Sequence, residues 1–259
     1  MAKLKYSFDE YIANPSGKGS AVNSTGSNNR DIYEKELMTL EGKNGRSKFT
    51  VYRHVKTGNK HVYLIHFEIP SSTKGFYNDV VIEFTQDDND TGAIKTIKKY
   101  YVKFFANDSS FIYTYAYTYK SHGVMIPELE KKLPLRCLIQ KPITRNPDNA
   151  MGYHKAIYFA YLIMVREQLF EKETLNRVAV AGSLTKLVGS IKSYDQKQME
   201  RSKIEKEAKE KGQNPKEPTS KIVKSKGLLG DAADQLKPKI TKIVGTTKKT
   251  STVKKVKKK

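Results

Sequence analysis

The chain contains few residues of several types, and each scarcity excludes a kind of structure or a class of protein. There is one cysteine, Cys137, so no disulfide can form within one molecule and a reducing compartment is expected. Apolar residues make up only 37% of the chain, and the longest apolar stretch, near residues 157–165, is too short to span a bilayer as a helix. The first fifteen residues lack the apolar core of a signal peptide. We therefore expect a protein that is soluble and intracellular, or packed inside an assembly.

Acidic residues are also scarce relative to basic ones. Forty-eight Lys and Arg face 27 Asp and Glu, which gives a net charge of +21. Such an excess makes a polyanion the first partner to consider: nucleic acid, an acidic membrane face or an acidic protein. More than half of the excess lies in residues 200–259, where nineteen Lys and Arg accompany seven Asp and Glu. Beyond Gly212 this segment cannot bury enough apolar area to offset its ordering cost, so we predict that it is disordered when free.

The fold prediction rests on changes in the hydrophobic period. Residues 31–41 suit a short helix. From Lys48 the period becomes two, and a short Gly-Asn turn before the run 61–69 predicts a hairpin. Runs at 80–84 and 97–105 add two strands, giving a four-stranded antiparallel meander, and residues 151–172 form a long amphipathic helix that would cover the sheet. The fold class predicted is α+β: a small antiparallel sheet packed by one long helix, with a disordered basic C-terminal tail.

This organisation divides the chain into three parts. Residues 1–46 are predicted to be a flexible arm and a short helix, and residues 47–194 the α+β domain. Residues 195–259 are predicted to be a Lys-rich charged helix followed by the disordered tail.

The richest local signal is a run of aromatic residues. Nine of the twenty residues in Tyr100–Tyr119 are aromatic. Every odd position from Phe111 to Tyr119 is aromatic, and this alternation predicts a strand. The flanks favour a helix instead, because residues 107–110 form an N-cap cluster and Gly123 suits a helix C-terminus. We prefer the helix over residues 110–120, and the strand remains open.

The tyrosines of this run have two interpretations. They could stack on the bases of single-stranded nucleic acid, since lysines at 98, 99, 103 and 120 are near in sequence. We favour the other interpretation, in which they line the core or a subunit interface. The candidates for stacking or for an interface are Tyr113, Tyr115, Tyr117 and Tyr119.

The basic tail is the strongest functional signal. Lysines at this density neutralise phosphates and give salt-sensitive binding without sequence specificity. Arginine, which reads bases bidentately, is almost missing from the segment. The residues predicted to contact nucleic acid are Lys248, Lys249, Lys254, Lys255, Lys257, Lys258 and Lys259.

Candidates for chemistry are weak by comparison. Cys137 sits among aliphatic residues and is predicted to be a small core residue. Asp79 and Glu83 share a strand face as nuclease carboxylates can, but no acidic-x-Lys element follows on a second strand. His61 and His66 have an odd separation and would face opposite sides, which argues against a shared metal. We therefore predict no catalytic residue, no metal ligand and no cofactor, and a protein that is not an enzyme.

Three segments carry a resemblance: FYNDVVIEF, KKYYVKFFANDSSFIYTYAYTYKSHG and RNPDNAMGYHKAIYFAYLIM. Over about residues 47–169 the chain resembles uncharacterised structural proteins of tailed bacteriophages. The resemblance implies a non-catalytic virion or assembly protein in the virion or the host cytoplasm. Its partners would be nucleic acid through the tail, other phage structural proteins and further copies of itself, with no membrane. The alternative is a soluble single-stranded nucleic-acid-binding or replication accessory protein that uses an aromatic platform.

Overall fold

The structure, a computed structural model, describes residues 7–13, 30–56, 60–86, 95–143, 146, 149 and 154–215. The predicted α+β fold is confirmed: a four-stranded antiparallel sheet in the order β1-β2-β3-β4 is packed by helices. The strands are β1 (Lys48–Lys56), β2 (Lys60–Pro70), β3 (Tyr77–Thr85) and β4 (Tyr101–Ala106).

The helices of the described residues surround this sheet. They are α1 (Phe8–Ala13), α2 (Arg30–Asn44), α3 (Ser109–Thr114), α4 (Ala116–Ser121), α5 (Leu135–Ile139), α6 (Lys155–Arg166), α7 (Lys172–Arg177), α8 (Leu184–Ser190) and α9 (Tyr194–Glu210). A single 3₁₀ segment, Pro127–Lys132, lies between α4 and α5.

The sheet is a meander in which each strand pairs with the next strand along the chain. Thr50 lies opposite His66 in β2, and His66 lies opposite Val81 in β3. β3 is buried from Val80 to Phe84, on both faces. A strand buried on both faces must be covered on both, so the sheet lies within the core rather than at its surface.

Helix α6 covers one side of the sheet, but it is shorter than the predicted span 151–172. It contacts β2, β3, β4 and α2, and buries Phe159 and Ile163. It ends at Arg166 because Gln168 adopts a left-handed backbone (φ 54°), which turns the chain. Leu169 and Phe170 are still buried beyond this turn, so the apolar periodicity continued past the end of the helix.

The N-terminal helix α1 is part of the core. Phe8 is fully buried, and its ring lies 5.5 Å from those of Phe84 and Phe170, centroid to centroid. The Tyr11 hydroxyl meets that of Tyr119 and accepts a hydrogen bond from the backbone N–H of His154. The short amphiphilic segment at the start of the chain therefore fills a gap between the sheet and α6.

Both outer strands of the sheet carry additional backbone bonds. On the β1 side, the Ala181 N–H donates to the Val51 carbonyl at 2.9 Å, and the segment pairs there in a parallel bridge. On the β4 side, the Phe104 N–H donates to the Val124 carbonyl at 2.8 Å, and the Ile126 N–H donates to the Phe104 carbonyl at 3.1 Å. Each outer strand is thus bridged by a connecting segment of the same chain.

The Lys-rich charged helix predicted at the start of residues 195–259 corresponds to α9, which begins at Tyr194 and ends at Glu210. Ser193 and Gln196 form a capping box at its start. Its first turns are not wholly solvated, since Lys197 is 7% exposed and reaches into the domain. The predicted tail beyond α9, residues 216–259, lies outside the described residues.

Candidate functional site

The second half of the aromatic run, from Phe111 to Tyr119, lies in two short helices, as the capping residues predicted and the alternation did not. The Asp108 carboxylate accepts from the Phe111 N–H at 3.1 Å and starts α3. Tyr115 then leaves the helical region (φ −121°, ψ −20°), and α4 begins at the next residue. Gly123, at φ 74°, completes the exit after α4.

This geometry divides the tyrosines into two pairs. Tyr115 is 4% exposed and Tyr119 is fully buried, and their rings lie 5.9 Å apart. Burial raises the pKa of Tyr115 to about 12, and that of Tyr119 rises well above its ordinary value for the same reason. Neither ring is available to stack on a base, so of the four candidate tyrosines only Tyr113 and Tyr117 could serve as a stacking platform.

Tyr113 and Tyr117 face outward and share a pocket. Tyr113 is 54% exposed, and its ring meets that of Tyr194 edge-on at 6.3 Å. A hydrogen bond with Tyr194 raises the pKa of Tyr113 above its ordinary value. The pocket has a volume of about 470 Å³, within the range of ligand sites. This pocket, the Tyr113 groove, is lined by Ile112, Tyr113, Tyr117, Pro134, Arg136, Cys137, Gln140, Lys141, Pro142 and Ile143.

The opposite wall of the Tyr113 groove comes from α5 and the residues after it. Pro134 precedes α5, and Arg136 lies on its exposed side, where Nε donates to Gln140 Oε1 at 2.8 Å. Asn146 ties the following loop to the aromatic helices, since its amide donates to the Thr114 carbonyl and to Thr118 Oγ1. A buried amide therefore attaches the chain beyond the α5 wall to α3 and α4.

The basic residues of the groove are not those expected from sequence proximity. Lys120 pairs with Glu130 at 3.0 Å, and Lys98 lies over the Phe170 ring. Arg136 and Lys141 line the groove instead, and neither forms an ion pair with a carboxylate of the described chain. The available signal was the short apolar and basic stretch between Pro134 and Pro142, which sequence reasoning passed over.

Cys137 lies at the base of the groove and is buried, as predicted. Its Sγ donates to the Pro134 carbonyl at 2.9 Å, and burial raises the pKa of the thiol to about 11. A thiol with such a pKa is almost entirely protonated at neutral pH, whereas nucleophilic catalysis requires the thiolate. Its role here is packing.

A second cluster of polar residues surrounds Asp79, one of the two carboxylates considered for metal binding. His66 Nε2 lies 2.9 Å from Asp79 Oδ1. The Asn107 amide donates to Oδ2 at 2.7 Å, and Lys197 Nζ lies 3.0 Å from the same oxygen. Burial alone would raise the pKa of Asp79, but His66 and Lys197 hold it below its ordinary value.

The Asp79 cluster is built for structure. Its carboxylate is already occupied by three side chains, and Lys197 Nζ also donates to the Tyr77 carbonyl at 2.9 Å. Glu83, the second carboxylate, is 1% exposed and accepts from Thr85 Oγ1 at 3.1 Å. Within the ranges that the structure describes, no group of three His, Cys, Asp or Glu residues could hold a metal ion.

A third cluster joins Asp108 and His154 beside a pocket of about 220 Å³. His154 Nδ1 accepts from the Ala156 N–H at 3.2 Å and thereby caps α6. Burial lowers the pKa of His154 below its ordinary value. Because Nδ1 accepts the hydrogen bond of the cap, the proton of the ring sits on Nε2, 3.3 Å from Asp108 Oδ1. The only lone pair of the ring is used in the cap, which leaves it no means of acting as a general base.

The seven tail lysines predicted to contact nucleic acid, from Lys248 to Lys259, lie outside the described residues. No helix of the described ranges is long and apolar enough to cross a membrane. No protein-family model, curated protein or solved structure matches this chain.

Proposed function

We propose that the protein contacts nucleic acid through its Lys-rich C-terminal segment, without sequence specificity, as a non-catalytic structural or assembly component of a tailed bacteriophage. The observation that carries the nucleic-acid part is the charge distribution. Residues 200–259 hold nineteen basic and seven acidic residues, whereas the aromatic and most of the apolar residues precede them. Dense lysine charge binds phosphates by releasing counterions, and no folded pocket is needed.

The polar clusters of the domain support a non-catalytic role. The Asp79 carboxylate is occupied by His66, Asn107 and Lys197, and His154 is engaged in capping a helix. Each group has a structural partner where a catalytic group would need to face a substrate. The phage assignment rests on the resemblance over residues 47–169.

A salt titration tests the tail. Binding of the full-length protein to a duplex oligonucleotide is measured by filter retention across a series of salt concentrations. Replacing all seven lysines from Lys248 to Lys259 by glutamine should reduce the slope of log K against log salt by up to about 6, since each phosphate contact contributes about 0.9. An unchanged slope would exclude the tail as the contact.

A matched comparison keeps the charge change equal. One variant replaces Lys257, Lys258 and Lys259 by glutamine, and the other replaces Lys203, Lys206 and Lys209 on the exposed side of α9. Both variants lose three positive charges. A larger decrease in the slope of log K against log salt for the first variant therefore assigns binding to the tail and not to the net charge of the protein. Equal losses would contradict that assignment. Mass spectrometry of purified phage particles tests the structural role, because a virion component is present at a fixed copy number.

A second candidate function has a specific observation in its favour. A soluble single-stranded nucleic-acid-binding or replication accessory protein would need exposed rings beside cations, and the Tyr113 groove contains both. The two candidates differ in the form of nucleic acid preferred, since tail lysines accept duplex and single strand alike.

A further inference from the structure

The Tyr113 groove is the part of the described surface where exposed apolar, aromatic and cationic groups meet. Ile143, which lines the groove, is 78% exposed. Leu135 and Ile139, which adjoin lining residues along α5, are 68% and 64% exposed. Tyr113 adds an aromatic ring that is more than half exposed. Clustered exposure of this kind on a soluble protein marks a binding surface more often than a neutral one.

The charge of the groove restricts what can bind there. Its two charged lining residues, Arg136 and Lys141, are both cations, and none of its described lining residues carries a carboxylate. A wholly apolar partner would gain nothing from the cations and would cover them at a desolvation cost. A ligand that suits both parts presents a flat apolar face together with negative charge, which is the chemistry of a nucleotide unit.

We infer that the Tyr113 groove holds an unpaired base of single-stranded nucleic acid against Tyr113 and Tyr117, with Arg136 and Lys141 contacting the adjoining phosphates. The inference rests on the proposed function in one respect, which is that the ligand is a nucleic acid. Duplex bases are stacked on their neighbours and do not present a face to the groove. Stacking is tolerant of sequence because every base has a π-face, so the groove selects strandedness and not sequence.

The test compares two probes on the full-length protein by fluorescence anisotropy: a fluorescein-labelled oligothymidylate of about 12 nucleotides and a duplex of equal length. Tyr113→Ala and Tyr117→Ala should each weaken binding of the single strand about tenfold and leave duplex binding unchanged. Tyr113→Phe, which keeps the ring, should bind as the wild type does. Lys141→Gln should weaken single-strand binding more than Lys131→Gln, a matched control on the exposed side of the 3₁₀ segment.

Each result has a definite meaning. If both alanine variants bind oligothymidylate as the wild type does, the groove holds something else, such as an acidic apolar protein segment, and the inference is wrong. Equal losses on both probes would show phosphate contact without stacking and would also overturn it. Because Tyr113 is largely exposed, its variants should keep the wild-type melting temperature, and circular dichroism checks this.

Failure of the groove and failure of the tail give different results. Neutralising the tail lysines should lower the salt slope for both probes, and for the duplex more than for the single strand, so the ratio of single-strand to duplex affinity should not fall. The groove variants should lower that ratio. Photo-cross-linking with 5-iodouracil in the oligonucleotide gives an independent readout. Cross-linked peptides that contain Tyr113 or Tyr117 support the inference, and cross-links confined to residues 248–259 refute it.

Discussion

Replacing Lys197 by methionine tests whether the start of α9 is anchored in the domain. The Lys197 side chain is 9% exposed, and its ammonium group lies 3.0 Å from Oδ2 of Asp79, whose side chain is 6% exposed. Methionine keeps the length and apolar stem of the side chain but removes the charge. The variant therefore leaves a buried carboxylate with one partner fewer.

The expected cost follows from the remaining partners of Asp79. Removing one member of a buried ion pair costs about 3–5 kcal/mol, because the other charge stays buried without compensation. His66 and Asn107 still reach the carboxylate, so we expect the lower end, about 3 kcal/mol. For a domain of this size that corresponds to a melting temperature lower by about 6–12 °C.

The assay is urea denaturation of the full-length protein, followed by circular dichroism. Lys203→Met is the matched control, since Lys203 lies on the exposed side of the same helix and should change the free energy of unfolding by less than about 0.5 kcal/mol. The double variant with Asp79→Asn should recover at least about 1 kcal/mol relative to additivity. Equal, small effects of the two lysine substitutions, or strict additivity with Asp79→Asn, would refute a buried pair.

Three further predictions follow from the same packing and electrostatics. The pKa of Asp79 lies below its ordinary 3.8, so its contribution to stability is present above pH 3.8 and is lost as the pH falls through the folded-state pKa. Lys197→Met should reduce the free energy of unfolding that is lost on acidification, because Lys197 is one of the groups that lower this pKa. If plots of the free energy of unfolding against pH are parallel for the variant and the wild type below pH 4, this prediction is wrong. Phe8→Ala should lower the free energy of unfolding by about 3–5 kcal/mol in urea titrations, because the ring is fully buried. A loss near zero would show that α1 does not pack in the core. Cys137 should react with Ellman's reagent far more slowly in the native protein than in guanidinium at the same pH, because its pKa is raised to about 11; equal rates would contradict its burial.

Local patterns in the sequence predicted the sheet, and in the aromatic run the capping residues favoured a helix while the alternation left a strand open. The period-two runs and the turn before residue 61 predict the meander that β1 to β4 form. Asp108 caps the start of the aromatic helices, and Gly123 lies at their exit. The Tyr119 ring contacts those of Phe111 and Tyr115. These features depend on residues close together in the chain.

The remaining features depend on contacts between distant residues. No residue near Lys197 in the sequence indicates that its ammonium group reaches Asp79. The sequence of a short segment such as α1 does not show whether the segment packs against the sheet. The apolar pattern past Arg166 predicted a longer α6, because periodicity cannot detect a left-handed residue such as Gln168. The Tyr113 groove was not predicted, because it forms where α5 and the aromatic helices meet in three dimensions.

The bridged sheet edges have a consequence for any self-association of this protein. An open strand edge can recruit the backbone of another molecule and extend into a continuous intermolecular sheet. Val51 on one edge and Phe104 on the other already exchange backbone hydrogen bonds with segments of their own chain. At these positions a neighbouring copy cannot join by strand addition without displacing them. If the protein builds a particle, its copies therefore contact one another at these positions through side-chain surfaces and not through backbone pairing.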